Sequence, residues 1–336
     1  MPLFLRTLPV YYPTTTLVVD DDTLFLKTLA RALLPGLPVR LFSDPVKAIG
    51  YMNQPNPVKL FTDHWGEEAS ERDAISISLG TIEKQLYIDA RFSEITCVVA
   101  DYAMPEMDGL RMIQEMDRSD ICRVLFTGNV TPGGAIEAFN KQVITRYIQK
   151  SWESPLKELR GFLSKSQKDH ARKRFDGLHG MFDKPAFKIF VNKEFARWFD
   201  NYLKVNNIVE YYWLASIHGF YLADFNGNGK VLLVHDKLFV DNQVLSIQEH
   251  GGSIELSRIV GANEVVAAFK TANGLYDDTV KEWRHNIFVV SKVINEDGPI
   301  FVAEVDDVRA VNINCSSMTF SDYIDYLGYA NRSFFG

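Results

Sequence analysis

Five short apolar runs, each followed by an amphipathic helical stretch, occupy the first half of this chain. The runs are TLVV, VRLF, CVVA, RVLF and ITRYI, all too short to be buried helices. Strands that alternate with helices favour a parallel sheet covered by helices, because parallel neighbours need a crossover connection. The pattern therefore predicts an α/β fold of the (βα)5 type for this half.

Carboxylates follow two of these runs. Asp20 and Asp21 come directly after the first run, and Asp101 comes directly after the third. The carboxyl ends of parallel strands share one edge of a sheet, so these side chains are expected to converge there. Clustered carboxylates need a cation, and hard oxygen ligands favour Mg²⁺, which phosphoryl transfer also uses. Spacing alone leaves a second interpretation of Asp101 open, namely a turn or helix-capping residue.

Five elements appear in a fixed order along the chain. They are the pair Asp20 and Asp21, Asp101 in DYAMPEMDG, Thr127 in LFTG, the aromatic Tyr147 and the cationic Lys150. In this combination and order they resemble the CheY-like receiver domain of bacterial response regulators. The resemblance implies a flavodoxin-like (βα)5 fold.

The resemblance also implies a role for each matching residue. Asp101 is expected to be the nucleophile that accepts a phosphoryl group from a sensor histidine kinase. Mg²⁺ is expected at a set of oxygen ligands formed by Asp20, Asp21, Asp101 and the main-chain carbonyl of Ala103. The phosphoryl oxygens and the switch are assigned to Thr127, the amide of Gly128, Lys150 and Tyr147. Asp108, in the Met-Asp-Gly turn, fits a helix cap better than an acceptor.

Two features depart from the family pattern. Ser151 follows the lysine where the family usually has proline. The third strand begins near residue 96, although short connections would start it about 35 residues earlier. The receiver domain is therefore expected at 14–165 with an inserted segment at about 54–94, which includes an amphipathic helix from Thr81 to Phe92.

Beyond the fifth strand the pattern changes. A helical linker is expected at 155–180, continuous to about Leu178, either as a signalling helix that pairs with a second copy or as a solvated connection. An α+β output domain with antiparallel strands is expected at 181–336, because NGNG and EDG mark hairpins. The segments IVEYYWLASIH and GANEVVAAFKTANG are predicted to be helical.

Three functions remain open for the output domain, whose site is unknown. It binds a protein or a small ligand, it is an enzyme, or it is an atypical DNA-binding domain. The segment HGGSIE is similar to the Gly-Gly hairpin of diguanylate cyclases, but Ser253 stands where that family has its essential carboxylate. Nucleic acid is an unfavoured partner, because residues 165–336 are net acidic and lack a basic recognition helix.

Composition and charge restrict the class of protein and its cellular compartment. The net charge is −7, and three widely spaced cysteines fit neither a disulfide framework nor a zinc site. No apolar stretch is long enough to span a membrane. A cytoplasmic protein is expected, one that forms a homodimer on phosphorylation. The size, the insert and the unassigned output domain suggest a regulator of a quorum-sensing system.

Overall fold

The structure of this chain, a computed structural model, describes residues 5–34, 36–54, 82–128, 137–175, 188–271, 273–295, 298–311, 313 and 318–332. The chain forms two compact units. The parallel-sheet unit comprises Pro13–Lys59, Ala90–Lys173 and Phe320–Gly336, and the antiparallel-sheet unit comprises Met1–Tyr12, Leu60–Asp89 and Arg174–Thr319. The contiguous domain boundaries expected from the sequence remain a prediction, and the two units differ from them at both chain ends.

Strands and helices alternate through most of the first half. The strands are β1 Val10–Tyr11, β2 Thr15–Val19, β3 Val39–Phe42, β4 Ile95–Ala100, β5 Cys122–Thr127 and β6 Arg146–Gln149. The helices are α1 Thr23–Leu33, α2 Pro45–Met52, α3 Gly109–Glu115 and α4 Pro155–Lys173. A 3₁₀ helix at Asp89–Ser93 precedes β4.

The parallel-sheet unit confirms the α/β prediction. Its five strands lie in the order β3-β2-β4-β5-β6, and every neighbouring pair is parallel. All residues of β2 and β4 are buried, because helices cover both faces of the sheet. Helix α1 shows how the pattern works, since its buried side chains Leu26, Leu29 and Leu33 recur every three or four residues.

A C-terminal helix, α9 Phe320–Arg332, completes this unit and was not expected from the sequence. The side chain of Asn331 pairs with the backbone of the edge strand β3. Its Nδ2 donates to the carbonyl of Val39 at 2.9 Å, and its Oδ1 accepts from the amide of Leu41 at 3.1 Å. The side-chain amide of Asn331 thus makes two hydrogen bonds that a neighbouring strand would otherwise make. It thereby protects part of the open edge of the sheet from pairing with another chain.

Two expected helices differ in extent. The helix predicted from Thr81 to Phe92 is a helical turn at 82–85 and the 3₁₀ helix at Asp89–Ser93, with a turn between them; Thr81 lies outside the described residues. Helix α4 ends at Lys173, earlier than predicted, and Leu178 also lies outside the described residues. An Asp-Gly turn signal at 176–177 follows it closely.

The antiparallel-sheet unit is built from the second half of the chain. Its helices are α5 Lys188–Val191, α6 Lys193–Val205, α7 Lys237–Glu249 and α8 Ile254–Gly261. Its further strands are β7 Ile208–Leu214, β8 Gly219–Asp224, β9 Gly229–Asp236, β10 Val265–Ala267, β11 Ile287–Val289, β12 Lys292–Ile294 and β13 Ile300–Val305. Short 3₁₀ helices lie at Trp283–Asn286 and Val308–Val311.

Both predicted hairpins are present in this unit. Strands β8 and β9 flank the NGNG turn, β12 and β13 lie on either side of the EDG sequence, and both pairs are antiparallel. The six-stranded sheet has the order β1-β7-β8-β9-β13-β12. Many of the aromatic side chains in this unit are buried, including Tyr212, Trp213 and Phe220. The α+β fold class is therefore confirmed.

Two helix predictions in this half are wrong. The segment IVEYYWLASIH contains β7, and GANEVVAAFKTANG contains β10. Their β-branched and aromatic residues favour a strand once a neighbouring strand is available. The likeness to a cyclase hairpin is wrong as well, because Gly251 and Gly252 connect the helices α7 and α8, and Ser253 caps α8 through the amide of Leu256. Within the described residues, no helix has both the length and the apolar character needed to cross a bilayer.

Two neighbouring histidines, the buried His235 and the half-buried His218, lie in the antiparallel-sheet unit. The rings of His218 and His235 are 5.9 Å apart, and Phe239 stacks on His218 at 3.9 Å. Nε2 of His235 lies 3.2 Å from the carbonyl of Ile217, while its buried Nδ1 has no hydrogen-bond partner among the described residues. Burial lowers the pKa of His235 to about 4 and the pKa of His218 well below its ordinary value.

We expect this unit to lose stability as the pH falls from about 6.5 toward 4. The unfolded chain protonates both histidines at their ordinary pKa, whereas the folded state resists protonation, so acid favours unfolding. For His235 the loss amounts to about 3 kcal/mol once the pH is below both values. Urea unfolding between pH 7 and 4 measures it. In His235→Gln, whose amide can still donate to Ile217, the slope should flatten; an unchanged slope would contradict the assignment.

Candidate functional site

Two buried carboxylates lie at the C-terminal edge of the parallel sheet. Asp20 follows β2 and is 3% exposed, and Asp101 follows β4 and is 6% exposed. Val19 and Ala100, the residues that precede them, are paired in register, and the amide of Asp101 donates to the carbonyl of Val19. The adjacent strand ends therefore bring the two side chains together.

Lys150 supplies the positive charge between these carboxylates. Its Nζ lies 2.6 Å from Oδ2 of Asp20 and 3.0 Å from Oδ1 of Asp101. The backbone holds the lysine in place, because its amide donates to the carbonyl of Thr127 at the end of β5. The ammonium group of Lys150 thus contacts the carboxylates that follow β2 and β4, while its backbone amide contacts the end of β5.

The electrostatics of the three groups are coupled. Burial raises the pKa of Asp20, and the hydrogen bond from Lys150 offsets part of that shift. Burial by itself would lower the pKa of Lys150, but its hydrogen bonds and charge contacts with Asp20 and Asp101 raise it above the ordinary value. Lys150 is therefore charged at neutral pH and stabilises two carboxylates that would otherwise repel each other.

Backbone amides orient both carboxylates. Oδ1 of Asp20 accepts from the amide of Asp22 at 3.0 Å, and Oδ2 of Asp101 accepts from the amide of Ala103 at 3.0 Å. Asp21, the third predicted metal ligand, is exposed. Among the described residues no group of three metal-ligating side chains is gathered at one point, so Asp21 lies apart from the buried pair.

The turn after Asp101 explains the Met-Asp-Gly sequence. Asp108 caps α3, since its Oδ1 accepts from the amide of Arg111 at 2.9 Å. Gly109 is packed against the backbone of Asp101 so closely that a Cβ there would lie 2.0 Å from the Asp101 carbonyl oxygen. Its amide also donates to the carbonyl of Tyr102. Gly109 therefore lets α3 begin directly beside the candidate acceptor.

Thr127 and Tyr147 lie on one face of the sheet. Thr127 is fully buried at the end of β5, and Tyr147 pairs in register with Leu125, two residues before Thr127. Because side chains alternate along a strand, Leu125, Thr127 and Tyr147 point to the same side. The ring of Tyr147 is half-buried and meets Trp152 edge-on at 6.0 Å. Gly128 follows Thr127, with open space where a Cβ would lie.

One contact at the site was missed by the sequence analysis. Nζ of Lys150 lies 4.3 Å from the centre of the Phe25 ring, on the first turn of α1. A cation over an aromatic face is attracted by the ring, which here adds a third contact to Lys150. The sequence marks Phe25 only by its position four residues after Asp21, and that spacing does not predict a contact with Lys150.

Comparison with known proteins supports the fold. No protein-family model matches this chain, and no curated protein matches it. The Legionella pneumophila response regulator LqsR has a solved structure that matches with a TM-score of 0.72 and 24% identity, covering 96% of each chain. This chain has the fold of that regulator. The fold expected from the sequence is thus confirmed, and a role in quorum sensing stays a prediction.

Two further solved structures match about half of this chain. A CheY-like response regulator receiver domain protein from Methanospirillum hungatei matches with 15% identity, 47% coverage of this chain, 98% of its own and a TM-score of 0.32. An adenylate cyclase from Rhodopirellula baltica matches with 18% identity, 51% and 98% coverage and a TM-score of 0.35. Neither low score supports a conclusion about this chain.

Proposed function

We propose that this chain is a two-component response regulator whose Asp101 accepts a phosphoryl group from a sensor histidine kinase. The observation that carries the proposal is the contact of Lys150 with Asp20 and Asp101 at the C-terminal edge of a parallel sheet. A buried pair of carboxylates beside a lysine, at the ends of parallel strands, favours chemistry on a charged ligand over a purely structural role.

In this proposal the chain supplies the nucleophile and binds the transferred group. A carboxylate oxygen of Asp101 forms a bond to phosphorus while the bond from phosphorus to the donor nitrogen breaks. Lys150 is already within 3.0 Å of Asp101, so a small movement lets its ammonium pair with a phosphoryl oxygen. The hydroxyl of Thr127 and the amide of Gly128 bind the remaining oxygens. The chain is its own substrate in this reaction.

Two of the proposed donors fit Mg²⁺. Asp20 and Asp101 are neighbouring buried carboxylates, and carboxylate oxygens are ligands that Mg²⁺ prefers, whereas Asp21 is exposed and would have to turn toward the ion. Asp20, Asp21, Asp101 and the main-chain carbonyl of Ala103 would hold the ion. When bound, Mg²⁺ would neutralise charge on the phosphoryl group.

The remaining parts of the proposal concern the cellular compartment, the signalling system and the ligand of the second unit. A cytoplasmic regulator, acting in quorum sensing, would receive its signal from the kinase and pass it on through the antiparallel-sheet unit. That unit would bind a protein or a small molecule. The likeness of the whole chain to the fold of the response regulator LqsR supports the assignment as a response regulator, and the other parts are predictions from the sequence.

We expect acetyl phosphate with Mg²⁺ to add one phosphoryl group to the purified protein, on Asp101. Asp101 is the expected position because it matches the acceptor of the receiver-domain motif and its carboxylate lies 3.0 Å from Nζ of Lys150. Intact-mass spectrometry and peptide mapping after borohydride trapping measure the stoichiometry and the position. Asp101→Asn should give no detectable labelling.

Asp108→Asn is the matched control, because it changes a carboxylate in the same turn that only caps α3. It should label normally, and an acyl phosphate on Asp108, or one that persists in Asp101→Asn, would contradict the assignment.

The same assay tests the metal ligands. Asp21→Ala should prevent labelling, and unchanged labelling would remove Asp21 from the proposed ligand set.

A further inference from the structure

Two cysteines face each other across neighbouring strands, away from the phosphoryl site. Cys97 in β4 pairs in register with Cys122 in β5, and both strands are parallel. Neighbouring strands lie about 4.8 Å apart, and paired residues point to the same face. Both side chains belong to the apolar cluster that also contains Val99 and Val124. The two thiols are therefore direct neighbours.

The two thiols differ in access to solvent. Cys97 is 1% exposed, whereas Cys122 is half-buried and lines a cavity of about 1050 Å³ beside helix α4. Ser166 and Lys173 of α4 line the same cavity, as does Thr145, whose hydroxyl lies 3.3 Å from Sγ of Cys122. A small reagent can therefore reach Cys122 from the cavity, whereas Cys97 does not line it.

The surroundings favour the thiolate at one position only. A hydrogen bond from Cys97 lowers the pKa of Cys122 to about 6, against the effect of burial, with help from Ser166, Thr145 and the charge of Lys173. Burial raises the pKa of Cys97 well above its ordinary value. Of the two thiols, Cys122 is therefore the one that forms the nucleophilic thiolate more readily.

We propose that Cys97 and Cys122 are a redox-active pair that a hydroperoxide converts reversibly to a disulfide. The Cys122 thiolate attacks the peroxide, the oxygen–oxygen bond breaks, and hydroxide leaves as the sulfenic acid forms. The sulfur of Cys97 then attacks the sulfur of Cys122, and its proton leaves with the displaced hydroxyl group as water. Two electrons pass from the two thiols to one peroxide molecule.

The strand geometry accounts for reversibility. The Cβ atoms of a relaxed disulfide lie about 3.5–4.5 Å apart, which is closer than the usual spacing of paired residues in parallel strands. The bond would pull β4 and β5 together locally, and strained disulfides are reduced more easily. The dithiol is therefore the resting form in a reducing compartment, and the disulfide is a transient product of oxidation.

The proposed oxidation does not need the phosphoryl chemistry. Cys97 lies four residues before Asp101 in β4, and the hydrogen bonds that the structure shows for the two sulfurs involve Val98 and Thr145 rather than the carboxylate site. The Asp101→Asn variant should therefore oxidise as the parent does. Its behaviour distinguishes a failure of the thiol proposal from a failure of the phosphoacceptor proposal.

The test uses the full chain with Cys315→Ser, which leaves two cysteines. One equivalent of hydrogen peroxide should lower the mass by about 2 Da, the mass of two hydrogens, with a peptide linked through Cys97 and Cys122 that dithiothreitol restores. Adding Cys97→Ser should leave a sulfenic acid on Cys122 that dimedone traps, and adding Cys122→Ser should abolish both products. Conversion of Cys122 to the sulfinic acid without a disulfide would overturn the proposal.

A second measurement does not depend on the variants. The rate of alkylation of Cys122 by iodoacetamide should level off above about pH 7 in the folded chain, because the thiol is then fully ionised. In urea the rate should keep rising past about pH 8.5, the ordinary thiol value. A folded-state midpoint equal to the unfolded one would also overturn the proposal.

Discussion

Gly109→Ala is expected to destabilise the parallel-sheet unit by about 3 kcal/mol or more and to suppress phosphoryl labelling of Asp101. The added Cβ would lie 2.0 Å from the carbonyl oxygen of Asp101 and 3.3 Å from Cβ of Ala100. Backbone atoms at the end of a central strand cannot move aside as a flexible side chain would. Either β4 or the start of α3 must shift, and each shift displaces Asp101.

The measurement combines two readouts. Amide hydrogen exchange of Ile95–Ala100 reports the stability of β4, and phosphodonor labelling reports the geometry of Asp101. Gly50→Ala is the matched control, because a Cβ at this position of helix α2 has nothing within 4 Å. It should raise stability by about 0.5–1 kcal/mol and leave labelling unchanged. Normal exchange and labelling in Gly109→Ala would show that the turn adapts.

The sequence predicts the parallel-sheet unit well because its information is local. Each strand is a continuous apolar run, each helix has its own stripe, and Asp20, Asp101 and Lys150 follow directly after strands whose ends must meet. The meeting of these three side chains is thus a consequence of topology. The close packing of Gly109 on Asp101 is different, because it depends on the position of α3 against β4, which no spacing rule gives.

The failures of prediction are long-range. Strand β1 pairs with β7 across about two hundred residues, at Val10 and Tyr212, and helix α9 reaches β3 through Asn331. A pattern over a few neighbouring residues predicts neither of these pairings. The same limit explains β7, since a run with Tyr211, Tyr212 and Trp213 satisfies a buried helix and a buried strand equally until its neighbours β1 and β8 are known.

Phosphorylation is expected to convert a monomer into a dimer of twice the mass. The phosphoryl group on Asp101 adds about −1.5 to −2 charges and strong acceptor oxygens near Lys150 and the end of β5. Thr127 should turn toward it, which vacates space on the sheet face that Thr127 shares with Tyr147. The Tyr147 ring, now half-buried against Trp152, can then turn inward.

The change would be read out on the surface formed by β6 and α4. Strand β6 is the outer strand of the parallel sheet, and Trp152, 38% exposed, follows it directly before α4 begins. On this surface Arg146 pairs with Glu158 and lies over the ring of Phe162. An inward Tyr147 removes the edge contact with Trp152, so the surface has two discrete arrangements. Self-association of one arrangement gives a two-fold symmetric dimer.

Light scattering coupled to size exclusion, at micromolar protein with and without beryllofluoride and Mg²⁺, measures the mass. The wild type should double in mass, and Asp101→Asn should remain a monomer. Thr127→Ala should be labelled by acetyl phosphate yet stay largely monomeric, because it lacks the hydroxyl that turns toward the phosphoryl group. Lys141→Ala, which removes an exposed ion pair with Glu137, is a control that should dimerise normally. If the phosphorylated wild type keeps the monomer mass, the dimer prediction is wrong, and binding of a heterologous partner becomes the favoured output.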